Sequence, residues 1–323
     1  MRGGWHRVRW VAPCAVGGTV RWVAPHTHAR SLSFQQLDPQ IGSQNRSYVN
    51  FAWRAAPWYR AAVTAGSDRY VSLEVTHDEG AAWLRLDRAE VGNAIDAVAC
   101  GELVDAMRRA AADVSIRVVV VAATGPSFSV AGDLVTALPG PPSPVPAADG
   151  AALLATMRDL PRPLVAVVQG ECHAAGLAVV AACDLALASS KARFWMPELK
   201  GGLWPALPVA AVARAIGPRR ALDLALAAAP IDAGAALGVG LVQRLLSPDQ
   251  LEIESFVMVR ALGQRSPSAL RHGLPAFRAG LDEPLGPALA RARAGLEALL
   301  ASEDAAEALS AYREQRPPVW KNR

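Results

Sequence analysis

The chain is poor in aromatic residues, which make up only 6% of 323 residues while apolar residues reach 52%. Its core must therefore be built from Ala, Val and Leu, a palette suited to helices packed on a sheet of small branched residues. Lysine is scarcer still: Lys191, Lys200 and Lys321 stand alone among the basic residues, which are otherwise all arginine. With so much Ala, Gly and Pro, that bias reads as the coding habit of a GC-rich genome rather than as an Arg-lined binding patch. Cysteine is limited to Cys14, Cys100, Cys172 and Cys183, with no C-x-x-C pair. That argues against a C-x-x-C redox or metal motif, and buried free thiols in a reducing compartment, the cytoplasm, are expected. No apolar run reaches the ~18 residues that a membrane span needs. The longest, Ala174 to Ala188, is interrupted by Asp184.

A basic face is also missing, despite a formal charge of +4. Up to Arg69 there are nine Arg, no Lys and two acids, so all of the excess lies there and the rest of the chain is mildly acidic. Nothing in the remainder recommends nucleic acid as a partner. Residues 1–69 hold five of the nine Trp, no sustained period, and the hexapeptide Val-Arg-Trp-Val-Ala-Pro twice, at Val8–Pro13 and Val20–Pro25. Two copies are too few for a repeat architecture. The expectation is a disordered extension, with His26 and His28 solvated rather than metal-binding.

From Tyr70 the pattern becomes orderly. Val71–Val75 and Ala82–Leu86 alternate like paired strands, and Asp96 is placed to cap a helix running through Ala112 with Leu103, Met107 and Ala110 on one face. Val118–Ala122, Leu164–Val168 and Asp184–Ala188 are short continuous apolar runs, the mark of strands covered on both faces. Between them fall a loop at Phe128–Leu134, a Pro-rich connection at Pro139–Pro146 read as exposed and mobile, a helix around Ala151–Leu160 and a short helix from near Ala175. After Pro205 the chain reads as almost wholly helical to Arg313, with breaks near Gly217-Pro218, Asp232, Pro248, Ser266-Pro267 and Pro284. Strands alternating with helices, then a helical tail, imply a crossover α/β core at about 70–265 and a helical part at about 266–323.

Two segments follow buried strands and offer backbone amides at sharp turns: Phe128–Leu134, and Gly170-Glu171-Cys172-His173-Ala174-Ala175-Gly176, which opens a helix. Small residues allow close approach, and the first amides of a helix have no internal acceptor, so two such amides could hold one oxygen that gathers negative charge. Glu171 and His173 lie in the right neighbourhood for acid/base work, although a packed histidine is the plainer reading; Ser129 is a nucleophile only in form, since no G-x-S-x-G elbow is present. Asp133 and Asp184 read as residues that order a helix start and a helix-to-strand turn. Glycine-rich phosphate loops and spaced metal ligands are absent.

Phe128-Ser129-Val130-Ala131-Gly132-Asp133-Leu134 resembles the F-x-x-G-x-D loop of the enoyl-CoA hydratase/isomerase (crotonase) family, and Val168–Asp184 resembles its strand–turn–helix with a terminal Cys-Asp. Phe194-Trp195-Met196-Pro197-Glu198 is similar to the family's F-x-x-P-E, Gly202–Pro205 to its G-L-x-P, and Ala236–Val242 to its A-x-x-x-G-L-V. Leu86-Asp87-Arg88 with Asn93-Ala94-Ile95 resembles the segment that opens the family's pattern, so the likeness runs in order from about 70 to 315.

The resemblance implies an α/β fold, a crotonase-like ββα spiral core whose second strand is perpendicular to the first, with a C-terminal helical trimerisation region forming homotrimers or dimers of trimers. It implies an acyl-CoA thioester substrate whose carbonyl oxygen sits between the amides of Gly132 and Ala175, with Asp133, Leu134 and Ala206 also against substrate. Coenzyme A is part of the substrate, and no further cofactor or metal is implied. Of the family's two acid/base glutamates, one matches Glu198; the other matches Ala178, which has no ionisable group. A single carboxylate can move a proton between carbons, so double-bond isomerisation is favoured over hydration, with an amide such as that of Ala206 left to hold a water. The alternative is a catalytically weak or inactive acyl-CoA binder: Ala178 favours it, and a retained Glu198 speaks against it.

Overall fold

The computed structural model describes residues 14–16, 19–21, 69–130 and 141–321. The chain divides into two units, Met1–Tyr59 and Arg60–Arg323. Of the first unit, the described part is one antiparallel ribbon, β1 (Cys14–Val16) against β2 (Thr19–Arg21), with Ala15 opposite Val20. The expectation of a disordered extension otherwise concerns residues outside those described, His26 and His28 included.

In the second unit β3 (Leu73–Asp78) and β4 (Ala81–Leu86) form the expected hairpin. Then come α1 (Ala97–Ala112), β5 (Val118–Ala123), α2 (Gly150–Asp159), β6 (Leu164–Val168), β7 (Glu171–His173), α3 (Ala175–Ala182), β8 (Leu185–Ser189) and β9 (Arg193–Trp195). The remainder is α4 (Ala206–Ile216), α5 (Pro218–Ala227), β10 (Ile231–Asp232), α6 (Ala233–Gly238), β11 (Arg244–Leu246), α7 (Leu251–Gly263), α8 (Pro267–Gly280), α9 (Leu285–Leu300) and α10 (Glu303–Arg313). Asp96 caps α1 as its position suggests, its carboxylate accepting from the Ala99 amide at 2.9 Å. The helix breaks fall at Gly217-Pro218, Asp232, Ser266 and Pro284, where residues unable to continue a helix, or suited to cap the next, occur.

Six strands form one sheet in the order β11-β8-β6-β5-β4-β3, parallel except for the β3–β4 hairpin. Its central strands are apolar throughout because both faces are covered. Val119, Val121, Leu164, Ala166 and Val168 point into the core beneath α1, α2 and α3, while Val118, Val120, Val165 and Val167 point to a second core closed by α7. A separate three-stranded sheet, β10-β9-β7, takes the strand that comes after β6 and the strand that comes after β8. Two successive turns of chain, β6-β7-α3 and β8-β9-α4, visit the large sheet, the small sheet and a helix, the ββα spiral that the motifs imply, and the helical C-terminal part completes the unit.

The resemblance implied a second strand per turn, but the pattern of the residues did not place β7 and β9, nor the paired pieces β10 and β11 within the stretch read as almost wholly helical. Two- and three-residue strands carry no usable alternation, so pairing partners define them. The Pro-rich connection also departs from expectation in its described part. Ser143 donates to the fully buried Glu102 carboxylate at 2.7 Å, which also accepts the Val71 and Ser72 amides. Val145 is buried, and a Cβ on Gly101 would meet the Pro146 carbonyl oxygen at 2.1 Å. Ser143 and Val145 thus hold the connection against α1, while Pro142, Pro144 and Pro146 are exposed as expected.

The C-terminal helices are tied to the core through a buried arginine, besides the exposed Arg214–Asp282 ion pair. Arg278 of α8 is 9% exposed and donates from Nε to Asp184 Oδ1 at 2.9 Å, from Nη1 to the Arg158 and Leu160 carbonyls, and from Nη2 to the Arg162 carbonyl at 3.0 Å. Asp184 in turn accepts the Leu164 amide at 2.7 Å. Its reading as a turn-ordering residue holds, and the arginine that neutralises it comes from 94 residues downstream. Cys100, Cys172 and Cys183 are free; burial pushes the Cys100 thiol up to about 12 and the other two well above the usual thiol range, so none is a thiolate at neutral pH.

Candidate active site

Three stretches of chain converge beside the small sheet. The first runs from Phe128 to Val130 along β7. Phe128 and Ser129 donate to the Glu171 carbonyl at 2.9 and 3.3 Å, and the His173 amide donates back to the Ser129 carbonyl at 3.0 Å, an isolated parallel bridge between Ser129 and Cys172. Asn93, at φ 52°, secures the approach: its carboxamide donates to the Thr124 and Ser127 carbonyls and accepts the Arg88 amide. Gly132, Asp133 and Leu134 come next in the chain and lie outside the described residues.

The second stretch is the turn from β7 into α3. Ala174 stands at φ 50° and ψ −121°, backbone that favours glycine, and it is held there by donating to the Trp195 carbonyl at 3.2 Å. Ala175 is the first residue of α3, so its amide is one for which the helix supplies no acceptor. The helix is apolar on every side and residues 175–180 are buried, as an enclosed helix must be. Gly176 makes the close approach possible: a Cβ there would lie 2.6 Å from Ser129 Cβ. Gly176→Ala is therefore expected to force the Ser129 strand away from α3, with a loss of stability of about 1–3 kcal/mol measured by urea denaturation. An unchanged midpoint would mean that the two segments are not in contact.

The third stretch is β9 with the turn that leaves it. Trp195 pairs with His173, and two residues later Pro197 opens a 3₁₀ turn, Glu198–Gly201, which closes at Gly202 with φ 78°. The Glu198 carboxylate is anchored at the first position of that turn, its Oε2 atom removed from solvent while the residue as a whole is half-buried. Ala178 is fully buried, so no open space faces its methyl group. Ala206 opens α4, exposed, with its amide donating to the Trp204 carbonyl at 2.8 Å. In this conformation that N–H is committed within the chain rather than aimed at a water.

Glu171 pairs loosely with Arg193 at 3.9 Å on the outer face of the small sheet. His173 is half-buried, its ring stacked on Trp195 with centroids 4.2 Å apart. Desolvation lowers its pKa against the opposing pull of Glu171, so the imidazole is neutral at pH 7. The pairing of His173 with Trp195 could not be read from the sequence, because register between two three-residue strands is not encoded in either. Ser129 is fully buried and lies against α3, placed for packing. Among the described residues no group of three or more His, Cys, Asp and Glu could hold a metal ion.

A backbone amide at a strained helix start and a carboxylate on a neighbouring turn, joined by one small sheet, are what the motif order implies. Residues 76–323 match the sequence model described as Enoyl-CoA hydratase/isomerase. The chain belongs to this family. It is 31% identical over 210 residues, 64% of this chain and 73% of the relative, to Enoyl-CoA hydratase domain-containing protein 3, mitochondrial, of Danio rerio. With the Xenopus laevis protein of the same name it shares 30% over 282 residues, 83% of this chain and 96% of that one. A crystal structure of an enoyl-CoA hydratase from Mycobacterium smegmatis superimposes with a TM-score of 0.71 at 29% identity, covering 77% of this chain and 98% of the other. Those relatives frame the family member as a crotonase fold with a helical C-terminal region. No helix among the described residues is long and apolar enough to cross a membrane.

Proposed function

We propose that this family member processes acyl-CoA thioesters by enolate chemistry with one acid/base residue, Glu198, and that its preferred reaction is the shift of an enoyl double bond. The reading is carried by a carboxylate at Glu198, its Oε2 removed from solvent, and by a fully buried methyl group, not a second carboxylate, at Ala178. The amides of Gly132 and Ala175 would receive the thioester oxygen, with Asp133 and Leu134 lining the same loop. Glu198 would then remove a proton from C2 of a 3-enoyl thioester. The electron pair moves to the carbonyl oxygen and the C3–C4 double bond becomes conjugated in a dienolate. Return of the same proton at C4 leaves a 2-enoyl thioester and regenerates the carboxylate, so no co-reactant or cofactor is consumed.

Hydration needs a water held while its proton and oxygen add to C2 and C3. The alanine at 178 supplies no second carboxylate, and the Ala206 amide is engaged by Trp204, so the site is poorly furnished for it. The deciding experiment incubates the full chain with 2-enoyl- and 3-enoyl-CoA thioesters of several lengths and follows hydration and isomerisation separately. Isomerisation exceeding hydration is expected. Binding without any turnover would favour the other reading, a non-catalytic acyl-CoA binder, which the missing second carboxylate also suits.

The C-terminal helices bear on assembly. Phe277, Leu289 and Leu296 are more than half exposed, and α9 buries no residue of its own. Apolar side chains spaced along successive turns imply cover by another protein surface. We expect a homotrimer or a dimer of trimers in solution; a monomer by light scattering at micromolar concentration would refute this. Coenzyme A as part of the substrate is the sole cofactor the reaction requires. The cytoplasm is compatible with three free thiols, although the Danio rerio and Xenopus laevis relatives are named mitochondrial.

A further inference from the structure

The three stretches that carry the proposed chemistry meet at a single residue, His173. Its amide donates to the Ser129 carbonyl at 3.0 Å, which ties in the loop leading to Gly132. Its ring lies on Trp195, centroids 4.2 Å apart and planes inclined by 24°, which ties in the strand leading to Glu198. The next residue, Ala174, donates to the Trp195 carbonyl and carries the strained backbone that leads into Ala175, the first residue of α3. A strained φ/ψ persists only when its surroundings over-determine it. Here the hydrogen bond supplies one restraint and the ring stack the other.

The register makes the two residues neighbours on one face of the sheet. Glu171, His173, Arg193 and Trp195 share one face of the small sheet, while Cys172 and Phe194 of the opposite face are fully buried. The outer face thus presents a ladder of Glu171 beside Arg193, then His173 on Trp195, with the Arg193 guanidinium 6.0 Å from the indole centroid. Neither ring belongs to the main apolar core, and β-branched residues also suit a paired strand.

We propose that His173 and Trp195 are positioning residues whose stacked rings set the spacing between the Ala175 amide and the Glu198 carboxylate. The inference rests on the reading that these two groups act on one thioester. The ring pair touches no reacting atom; it fixes the separation between the end of β7 and the end of β9, from which both groups project. Loss of either ring lets the two strand ends drift, and a displacement of about 1 Å between reacting groups can cost up to 10²-fold in rate.

The test compares the parent with His173→Ala, His173→Phe and Trp195→Phe, measuring kcat and KM for 3-enoyl-CoA isomerisation. In parallel, the near-ultraviolet absorbance of bound acetoacetyl-CoA reports how far the site stabilises its enolate, a readout that needs no turnover. His173→Ala is expected to lower kcat by about 10-fold or more with KM little changed, and to reduce the enolate signal. His173→Phe, which keeps a flat ring on Trp195, should recover most of both, and Trp195→Phe should fall between. Equal kcat and equal enolate signal in parent and His173→Ala would overturn the proposal. So would a His173→Phe variant as poor as His173→Ala, which would assign the role to the imidazole nitrogens instead. Should His173→Ala fail to fold, His173→Phe and Trp195→Phe decide by the same two readouts. A parent that neither isomerises 3-enoyl-CoA nor binds acetoacetyl-CoA would refute the acyl-CoA reading itself, and this inference with it.

Discussion

Replacing Glu198 by Gln is expected to keep acyl-CoA affinity and to lower turnover by about two to four orders of magnitude, the range seen when a general base is removed. The two side chains are isosteric, so the 3₁₀ turn that begins at residue 198 and the hydrogen bond from Leu203 to its backbone carbonyl should survive. What disappears is the capacity to accept a proton at C2 and return it at C4. The effect should therefore fall on kcat and kcat/KM alike, because the lost interaction belongs to the transition state. Isothermal titration with a saturated acyl-CoA, alongside steady-state kinetics, separates binding from chemistry. Turnover equal to the parent on every enoyl-CoA would show that the carboxylate is not the proton carrier. A second carboxylate introduced as Ala178→Glu would have to enter a fully buried position, so its outcome depends on repacking of α3 as much as on chemistry.

The largest stability effect is expected at Arg278. Arg278→Met preserves most of the aliphatic volume but strips the donors from Asp184 and from the carbonyls of Arg158, Leu160 and Arg162 at once. Both side chains of the ion pair are shielded, at 10% and 22% exposure, so the remaining carboxylate would be left poorly solvated and uncompensated. Breaking such a pair from one side costs about 3–5 kcal/mol. Urea denaturation should show that loss, and the α8–α10 region should become the first to be cut by a protease because this anchor fastens it to the α2–β6 corner. A loss below about 1 kcal/mol would mean that apolar packing of α8 suffices without the anchor. The double variant Arg278→Met with Asp184→Asn should recover part of the loss, since the abandoned charge is then absent as well.

Much of the fold was legible residue by residue. Asp96 and Leu103, Met107 and Ala110 defined α1 because a capping carboxylate and a 3.6-residue period are local properties. Val118–Ala122 and Leu164–Val168 read as strands enclosed on both faces because only such strands can be apolar at every position. The order of the motifs from Leu86 to Val242 then implied the spiral, and Glu198 together with the alanine at 178 already argued for a single carboxylate.

The sequence by itself determined which segments are helix or enclosed strand, which family pattern they match, and which ionisable group is present or missing. The tertiary structure alone decided the pairing of β7 with β9, the stack of His173 on Trp195, the grip of Arg278 on Asp184, and the engagement of the Ala206 amide by Trp204. The division has a physical reason. Capping, periodicity and the lack of a titratable group are encoded within a few consecutive residues, whereas a cross-strand register or an ion pair 94 residues apart exists only after collapse has chosen one partner among many chemically equivalent ones.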